Sequence, residues 1–371
     1  MSDAHACRSC LRRAWLLERL AGRIDLVGRR PGGVTPLFAL DDQVLIEAVG
    51  GAADRELTAG WRAFDEGEAR RRVTAAAMTT TCPHVAGYPE SLRGWPGAPA
   101  ALGILGDRRR FVALHAEPVV AVVGARRASD YGLEVARSLG RGLAAAGVTV
   151  VSGMAFGIDA AAHAGALEVG GTIAVLAGGA DSASPAAHRA LHRRIATHGA
   201  VISELPPGAQ PRRFGFPARN RIIAGLAAMT VVVEATWASG ALGTARATVA
   251  LGRDVGAVPG RVTSPLAAGP NALIADGAAL VRDARDVLDA VCGVGRPETR
   301  DPPPAEPVPG HLQRLLDAVG DGHDTAEALE AGGWSSDTAL AGLVELELLG
   351  RVRRGTGGRW VVSAAAVASG H

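Results

Sequence analysis

The sequence of 371 residues contains no lysine, so all 39 of its basic side chains are arginines. A chain without lysine lacks the G-K-[ST] signature of a Walker A loop, which excludes a P-loop nucleotide site. Because the bias extends over the whole chain, the abundance of arginine by itself says little about function.

Cysteine is scarce as well, with four residues in the chain. So few thiols in so long a chain exclude a disulfide scaffold and favour a reducing compartment. No run approaches the roughly 20 apolar residues of a membrane-spanning helix. The N-terminal residues also lack the basic, apolar and small-residue order of a secretory signal. We therefore expect a soluble, cytoplasmic protein with no membrane partner.

Three of the cysteines raise the question of a metal. Cys7 and Cys10 form a C-x-x-C pair, and Cys82 with His84 could complete a zinc tetrahedron. Each pair alone is only half of a site. We favour reduced, partly buried thiols with no metal and no other cofactor, and keep structural zinc as the alternative.

The net charge of +2 is unevenly divided along the chain. Residues 76–285 hold 20 arginines and 13 acidic residues, whereas residues 286–371 hold 7 arginines and 13 acidic residues. The middle segment is therefore positively charged and the tail negatively charged. This asymmetry favours an anionic partner for the middle segment.

Composition and periodicity divide the chain into four parts. Residues 1–75 are typical of a small helical domain, and residues 76–290 of an α/β domain. Residues 291–310 contain six prolines and indicate a semi-extended linker. Residues 311–366 predict three helices and a hairpin turning at Gly355–Gly358, which together indicate a winged helix.

Six short runs rich in β-branched residues alternate with helical stretches in the α/β domain. They are PVVAVVG, GVTVVSG, TIAVLAGG, GAVISE, MTVVVEA and DVGAVPG. Runs without polar alternation are typical of parallel strands buried on both faces. The repeat predicts an extended Rossmann-like, doubly wound parallel sheet, in which ligands bind beyond the carboxyl ends of the strands.

Three predicted strand-to-helix turns are rich in glycine and small polar residues: Gly124–Gly132, Ser152–His163 and Ser239–Arg246. Small residues let an anion approach the backbone, where the first N–H groups of each helix are free. Arg126 and Arg246 lie in two of these turns, and guanidinium groups there could bind phosphates bidentately.

The segment FPARNRIIAGL, Phe216–Leu226, places Arg219 and Arg221 at the entrance of a predicted helix. The helix dipole disfavours cations at that end. Both arginines are therefore predicted to be neutralised by phosphates of a bound ligand. Phe214 and Phe216 could stack on bases, with core packing the expectation for at least one of them.

A dinucleotide cofactor and an enzymatic reaction both lack support. Arg126 and Arg127 stand where the G-x-G-x-x-G fingerprint requires glycine. Asp159 and His163 are interpreted as a helix N-terminal carboxylate and a neighbour paired with it. Glu234 is interpreted as a group that orders the loop above it. Since no nucleophile elbow or H-E-x-x-H motif accompanies these groups, we expect no catalysis.

Eight motifs occur in the order and spacing of the DprA/Smf family of bacterial DNA-processing proteins, which this chain resembles over residues 76–285. They are VVGARRASDYG, VVSGMAFGIDAAAH, GGTIAVLAGG, SELPPG, FPARNRIIAGL, SGALGTAR, AVPG and GPNALIADGA. The resemblance implies a non-catalytic protein that binds and protects single-stranded DNA and helps to load the RecA recombinase during natural transformation. It also implies a homodimer formed through the Rossmann domain and an N-terminal domain of the SAM or helix-hairpin-helix type.

The residues that the strand-end turns and the resemblance together predict to contact DNA share a position at or beside these turns. They are Gly124, Arg126, Arg127, Ser129, Gly153, His188, Arg219, Asn220, Arg221, Ser239, Gly240, Thr244 and Arg246. Four positions depart from the family pattern: Phe156 stands where relatives generally have arginine, Gly243 where a bulkier aliphatic residue is common, and Ser184 and His188 where they often have tyrosine and asparagine.

The main alternative is a nucleotide-binding sensor or a nucleotide-cleaving enzyme on the same type of fold. The cleaving relatives have a P-G-G-x-G-T-x-x-E loop, and this chain has EATWASGALGTAR in its place. A sequence-specific regulator built on the winged helix is a third class. The predicted recognition helix carries Asp337, Glu345 and Glu347 and no arginine, which favours a protein-interaction role for that domain.

Overall fold

The computed structural model describes residues 5–27, 34–294, 308–348, 351–355 and 358–362. The predicted linker falls mainly on residues 295–307, which lie outside the described residues, as do residues 356 and 357 of the predicted hairpin turn. Among the helices of the described segments, none has both the length and the apolar character that a membrane crossing requires.

The N-terminal region is helical, as predicted. Its helices are α1 (Arg8–Val27), α2 (Asp42–Gly50), α3 (Asp54–Arg62) and α4 (Glu66–Ala75). Leu16, Leu17, Leu20 and Ile24 recur at helical spacing on α1 and are fully buried. They share one hydrophobic core with Phe214 of the α/β domain, so the N-terminal helices pack directly against that domain.

The α/β domain is built on a central sheet. The strands of the sheet are β1 (Met78–Thr81), β2 (Leu102–Leu105), β3 (Val119–Val123), β4 (Thr149–Ser152), β5 (Thr172–Val175), β6 (Ala200–Ser203), β7 (Met229–Val232), β8 (Asp254–Ala257) and β9 (Ala279–Leu280). Their order is β1-β2-β6-β5-β4-β3-β7-β8-β9. The strands from β3 to β9 pair in parallel, and β1 and β2 extend the sheet antiparallel beyond β6.

Helices cover both faces of the sheet. They are α5 (Arg108–Ala116), α6 (Asp130–Ala145), α7 (Ile158–Ala166), α8 (Arg189–His198), α9 (Gly215–Leu226), α10 (Gly240–Ala250), α11 (Ala268–Ala275) and α12 (Ala284–Cys292). Alternate residues of β3 enter different cores: Ala121 packs with Ile222 of α9, and Val122 with Leu139 of α6. This two-faced burial confirms the predicted doubly wound α/β fold.

The strand order also locates the point where the winding reverses. From β3 the chain proceeds through β4, β5 and β6 on one side, and then through β7, β8 and β9 on the other. The neighbours β3 and β7 therefore form the topological switch point, where the carboxyl ends of adjacent parallel strands leave a crevice.

The C-terminal region has three helices and a hairpin in its described residues. The elements are α13 (Gly310–Gly320), α14 (Ala326–Ala331), α15 (Ser336–Leu348), β10 (Val352–Arg354) and β11 (Trp360–Val362). Leu315, Leu343 and Trp360 belong to its own buried core. The predicted elements are confirmed, while the winged-helix assignment stays a prediction.

Candidate functional site

A cleft of about 370 Å³ opens at the switch point between β3 and β7. Its walls come from the turn after β3, the loop after β4, the first turns of α9 and the loop that leads into α10. Eight of the residues predicted to contact DNA line this cleft. They are Gly124, Arg126, Arg127, Arg219, Asn220, Ser239, Gly240 and Thr244. Segments from four parts of the chain therefore converge at one edge of the sheet.

The turn after β3 requires glycine at its first position. A Cβ atom on Gly124 would lie 2.6 Å from Cγ1 of Ile158 and 2.8 Å from the carbonyl oxygen of Glu234. The backbone N–H of Ala125 donates to that carbonyl oxygen over 2.6 Å. This close packing fixes the backbone and leaves the side chain of Arg126 exposed at the cleft.

Ser129 stabilises the same turn through hydrogen bonds to Glu234 and Gly132. Its backbone N–H and hydroxyl donate to the carboxylate of Glu234 over 2.8 and 2.5 Å, and its Oγ accepts from the N–H of Gly132. Ser129 is thus the N-cap of α6 and is not among the residues that line the cleft. The interpretation of Glu234 as a group that orders this loop is confirmed.

Arg219 lies at the floor of the cleft with 6% of its surface exposed. Its Nη1 is 3.7 Å from a carboxylate oxygen of Asp159, which is longer than a hydrogen bond. Within the described part of the chain, the buried Nε–H of Arg219 has no acceptor. The guanidinium group therefore retains hydrogen-bond donors for an anion that enters the cleft.

Gly153 makes the position of Arg219 possible. A Cβ atom at residue 153 would lie 0.9 Å from Nη1 of Arg219. The carboxylate of Asp159 accepts from the backbone N–H groups of Gly153 and Ala155 over 3.2 and 3.4 Å, which holds this loop against the arginine. Burial raises the pKa of Asp159, and the adjacent positive charge of Arg219 opposes that shift. Gly153 thus shapes the floor of the cleft and is not among its lining residues.

Arg221 does not face the cleft. Its Nη2 donates to both carboxylate oxygens of Glu204 over 2.7 and 2.8 Å, and its Nη1 donates to the carbonyl oxygen of Ala218. The guanidinium carbon lies 4.1 Å from the centre of the Phe38 ring, and 2% of the residue is exposed. The prediction that phosphates neutralise Arg221 is therefore wrong, because Glu204 does so within the folded chain.

The two phenylalanines before α9 have different surroundings. Phe216 is half-buried and lines the cleft, with the guanidinium carbon of Arg126 4.9 Å from its ring centre. This distance is typical of a cation–π contact. Phe214 is buried in the core shared with the N-terminal helices. The expectation that one of the two serves in core packing is confirmed.

The N-terminus of α10 forms the opposite wall. Ser239 is its N-cap and accepts from the N–H of Ala241 over 3.3 Å. Nδ2 of Asn220 donates to the carbonyl oxygen of Gly240 over 3.2 Å, which joins the starts of α9 and α10. The helix dipole at this first turn favours an anion in the cleft.

Two further predicted residues lie beside the cleft and not among its lining residues. His188 contacts the carbonyl oxygen of Met154 through Nδ1 over 3.0 Å, and its ring packs edge-on against Phe156 at 4.7 Å. Phe156 and His188, two of the departures from the family pattern, are thus in contact with each other. Arg246 is exposed on α10, two residues after Thr244 of the cleft wall.

Trp237 is a surface residue that sequence reasoning missed. Its side chain is 71% exposed, and both of its chain neighbours, Thr236 and Ala238, line the cleft. The signal in the sequence was a large aromatic residue inside a turn that otherwise consists of small residues.

The interpretation of Asp159 and His163 as a pair is wrong. Asp159 pairs with Arg219, and the fully buried His163 contacts the hydroxyl of Thr172 through Nδ1 over 2.9 Å. Burial lowers the pKa of His163 to about 3, and the positive charge of Arg219 adds to that shift.

This burial predicts a loss of stability in acid. An unfolded histidine takes up its proton near pH 6.5, whereas folded His163 remains neutral down to about pH 3. The unfolded state therefore binds more protons in this window, and the free energy of unfolding decreases as the pH falls through it. Between about pH 7 and pH 4.5 we expect His163 to account for a loss of about 2.5 kcal/mol. Urea unfolding of the parent protein and of a His163→Leu variant at several pH values measures this loss. If the free energy of unfolding depends on pH in the same way in both proteins, the loss does not come from His163.

A doubly wound sheet with guanidinium groups and a helix N-terminus around its switch-point crevice defines a Rossmann-like protein whose cleft has the chemistry that suits an anion. The chain belongs to the DprA/Smf family: the sequence profile of DNA recombination-mediator protein A matches residues 79–292, more than half of its length.

Individual relatives agree with this assignment. A DNA processing protein DprA of Mycobacterium tuberculosis is 45% identical over 242 residues, which span 61% of each chain. The X-ray structure of DprA from Streptococcus pneumoniae matches with a TM-score of 0.61 and 32% identity, over 76% of this chain and 96% of that one. A structure of the Helicobacter pylori protein, which concerns its single-stranded DNA binding mode, matches with a TM-score of 0.52 and 25% identity, over 58% and 95% of the two chains.

Proposed function

We propose that the switch-point cleft binds single-stranded DNA and that the protein acts as a recombination mediator. The observation that carries this proposal is the convergence of Arg126, Arg127 and Arg219 with the ring of Phe216 and the start of α10. Guanidinium and backbone N–H groups suit phosphates, and an aromatic face suits an unpaired base. In a duplex the bases stack on one another and cannot stack on a protein side chain. The combination of phosphate-binding groups and an aromatic ring therefore favours a single strand.

The arginines differ in the part that we assign to them. Arg126 and Arg127 are exposed and can follow a flexible strand, whereas Arg219 is held in place by its burial and by Asp159. A fixed donor on the floor and two mobile donors on the rim suit a polymer that crosses the cleft.

A competition experiment tests the proposal. Labelled single-stranded oligonucleotide is bound to the full chain at two salt concentrations and challenged with unlabelled single strand, duplex or mononucleotide. We expect the single strand to compete best and the affinity to fall steeply with salt, because phosphate contacts release counterions. Displacement of the oligonucleotide by a stoichiometric mononucleotide would instead favour the nucleotide-binding alternative.

We infer that the protein does not cleave nucleotides. The acidic groups around the cleft already have structural roles: Asp159 holds a loop and Arg219, Glu234 holds the turn after β3, and Glu204 neutralises Arg221. A general acid or base needs a free carboxyl within reach of its substrate. Release of a free base from a nucleoside monophosphate during incubation with the purified protein would contradict this inference.

Loading of the RecA recombinase, a role in natural transformation and homodimer formation complete the proposal. They rest on membership in the family, and this chain covers 61% of the length of the M. tuberculosis relative. Light scattering of the purified chain tests the dimer. To test RecA loading, RecA is added to DNA covered by single-strand-binding protein. We expect RecA filaments to form when the protein is present, and no increase in filament formation would contradict the loading role.

Trp237 is predicted to stack on a base beside the cleft. Its exposed indole adjoins two cleft residues, and stacking of one base on an aromatic side chain contributes about 1–3 kcal/mol. Trp237→Ala should therefore weaken single-strand binding about 5- to 150-fold, whereas Trp237→Phe should retain most of it. Quenching of tryptophan fluorescence by oligonucleotide should shrink in Trp237→Phe. Equal affinity in all three proteins would show that the strand does not reach this side chain.

A further inference from the structure

The start of the chain and the end of the first strand meet at one point. Cys7 directly precedes α1 and Cys10 lies in its first turn, whereas Cys82 and His84 follow β1. The backbone N–H of Cys7 points at the sulfur of Cys82 over 3.4 Å. The two halves of the pattern, more than seventy residues apart in sequence, are therefore adjacent in the fold.

The four side chains converge on a common centre. Nδ1 of His84 lies 3.4 Å from Sγ of Cys7, 3.4 Å from Sγ of Cys10 and 3.8 Å from Sγ of Cys82. All four potential ligand atoms lie within 4.8 Å of one another. For tetrahedral zinc with Zn–S bonds of about 2.3 Å and Zn–N bonds of about 2.0–2.1 Å, the nitrogen–sulfur separations are about 3.5 Å.

Hydrogen bonding by His84 alone does not account for the approach of three sulfur atoms to one ring nitrogen. A single imidazole nitrogen either donates one hydrogen or accepts one, so it can satisfy one of the three sulfur atoms and not all of them. A shared cation at the centre satisfies all four groups at once. Cys7, Cys10 and Cys82 are not in disulfide bonds, so all three remain available as ligands.

We propose that Cys7, Cys10, Cys82 and His84 bind one structural zinc ion. Three thiolates and an imidazole complete a tetrahedron and leave no position for water, which is the ligand set of a structural site and not of a catalytic one. The ion would link the beginning of α1 to the end of β1 and so fasten the N-terminal helices to the sheet. Cys7 and Cys10 lie outside the family match, which begins at residue 79. The zinc alternative thus replaces our preference for metal-free thiols.

The four side chains of the cluster differ in how deeply they are buried, which guides the choice of variants. Cys82 is fully buried and Cys10 is buried, whereas His84 is exposed. A substitution at His84 therefore perturbs packing little, and one at Cys82 removes a thiolate at the risk of a packing defect. Cys292, on α12 and outside the cluster, provides a matched cysteine control.

The test is metal analysis of the full chain purified with reductant and without chelator. We expect about one zinc ion per chain in the parent protein and in Cys292→Ser, and near-complete loss in Cys82→Ser and in His84→Ala. Replacement of zinc by cobalt(II) should give tetrahedral d–d bands and thiolate-to-cobalt charge-transfer bands. Chelator should lower the melting temperature of the parent and of Cys292→Ser but leave that of His84→Ala unchanged.

Three results would overturn the proposal. The first is a parent chain that neither contains zinc nor takes up one equivalent of zinc or cobalt(II). The second is full zinc content in both Cys82→Ser and His84→Ala. The third is a disulfide between Cys7 and Cys10 in the freshly purified protein, since it would consume two of the three thiolates. None of these outcomes depends on DNA binding, so the experiments test the zinc proposal independently of the proposed function.

Discussion

Replacement of Arg126 by alanine is expected to lower the affinity for single-stranded DNA about 10- to 150-fold, because a hydrogen bond to a charged group contributes about 1.5–3 kcal/mol. The side chain is exposed and its contact inside the chain is with the ring of Phe216, so the fold should remain intact. Loss of one phosphate contact should also reduce the slope of log affinity against log salt by about 0.7. Fluorescence anisotropy at several salt concentrations measures both quantities.

Arg109 provides the matched control for Arg126. It is also an exposed arginine, in the first turn of α5. This helix follows β2, which runs antiparallel to β6, so its start lies at the edge of the sheet opposite the cleft. Arg109→Ala removes the same charge and should leave both the affinity and the salt slope nearly unchanged. Equal losses in the two variants would mean that overall charge, and not the cleft, determines binding.

Replacement of Arg221 by alanine is expected to reduce the free energy of unfolding by about 3–5 kcal/mol, because it leaves the buried Glu204 carboxylate without its partner. The substitution also removes the packing of the Arg221 side chain against Phe38, which belongs to the core of the N-terminal helices. Urea unfolding monitored by circular dichroism measures the change. The exposed Arg246, on α10, serves as a control whose change to alanine should alter stability by less than about 0.5 kcal/mol.

A double substitution separates the ion pair from simple loss of packing. Arg221→Met with Glu204→Gln removes both charges while it preserves most of the volume, and it should be more stable than Arg221→Ala. An Arg221→Ala protein of parental stability that has lost DNA binding would be incompatible with this account. It would return Arg221 to the DNA-contacting residues that the sequence predicted.

The parallel part of the sheet was predictable because its strands are buried on both faces. The runs that became β3 to β8 consist mostly of apolar residues and are buried except for Asp254 at the start of β8. The strands β1, β2 and β9 were missed, and β9 has only two residues. The sequence of β1 is MTTT and that of β2 is LGIL, and neither four-residue segment has a periodicity that distinguishes a strand from a loop. The pairing of β1 with β2, and of β2 with β6, depends on contacts between segments that are distant in sequence.

The location of the cleft was predictable, whereas the partners of its arginines were not. The carboxyl ends of parallel strands share an edge, which brought eight predicted residues together. Whether a guanidinium group faces solvent or a carboxylate depends on pairs that are distant in sequence. Arg219 is 60 residues from Asp159, and Arg221 is 17 from Glu204. The same limit applies to the cysteine cluster, since each half alone carries too little information to indicate a site.

The most direct test of the proposed interface is photochemical cross-linking of the full chain to a single-stranded oligonucleotide that carries 4-thiothymidine, with the attached peptides identified by mass spectrometry. A zero-length cross-link reports which side chains touch the bases. The account predicts that the cross-links fall on the segments around Phe216 and Trp237 and that excess unlabelled single strand abolishes them. Specific cross-links confined to α5 or to the C-terminal helices, with none on the walls of the switch-point cleft, would contradict it.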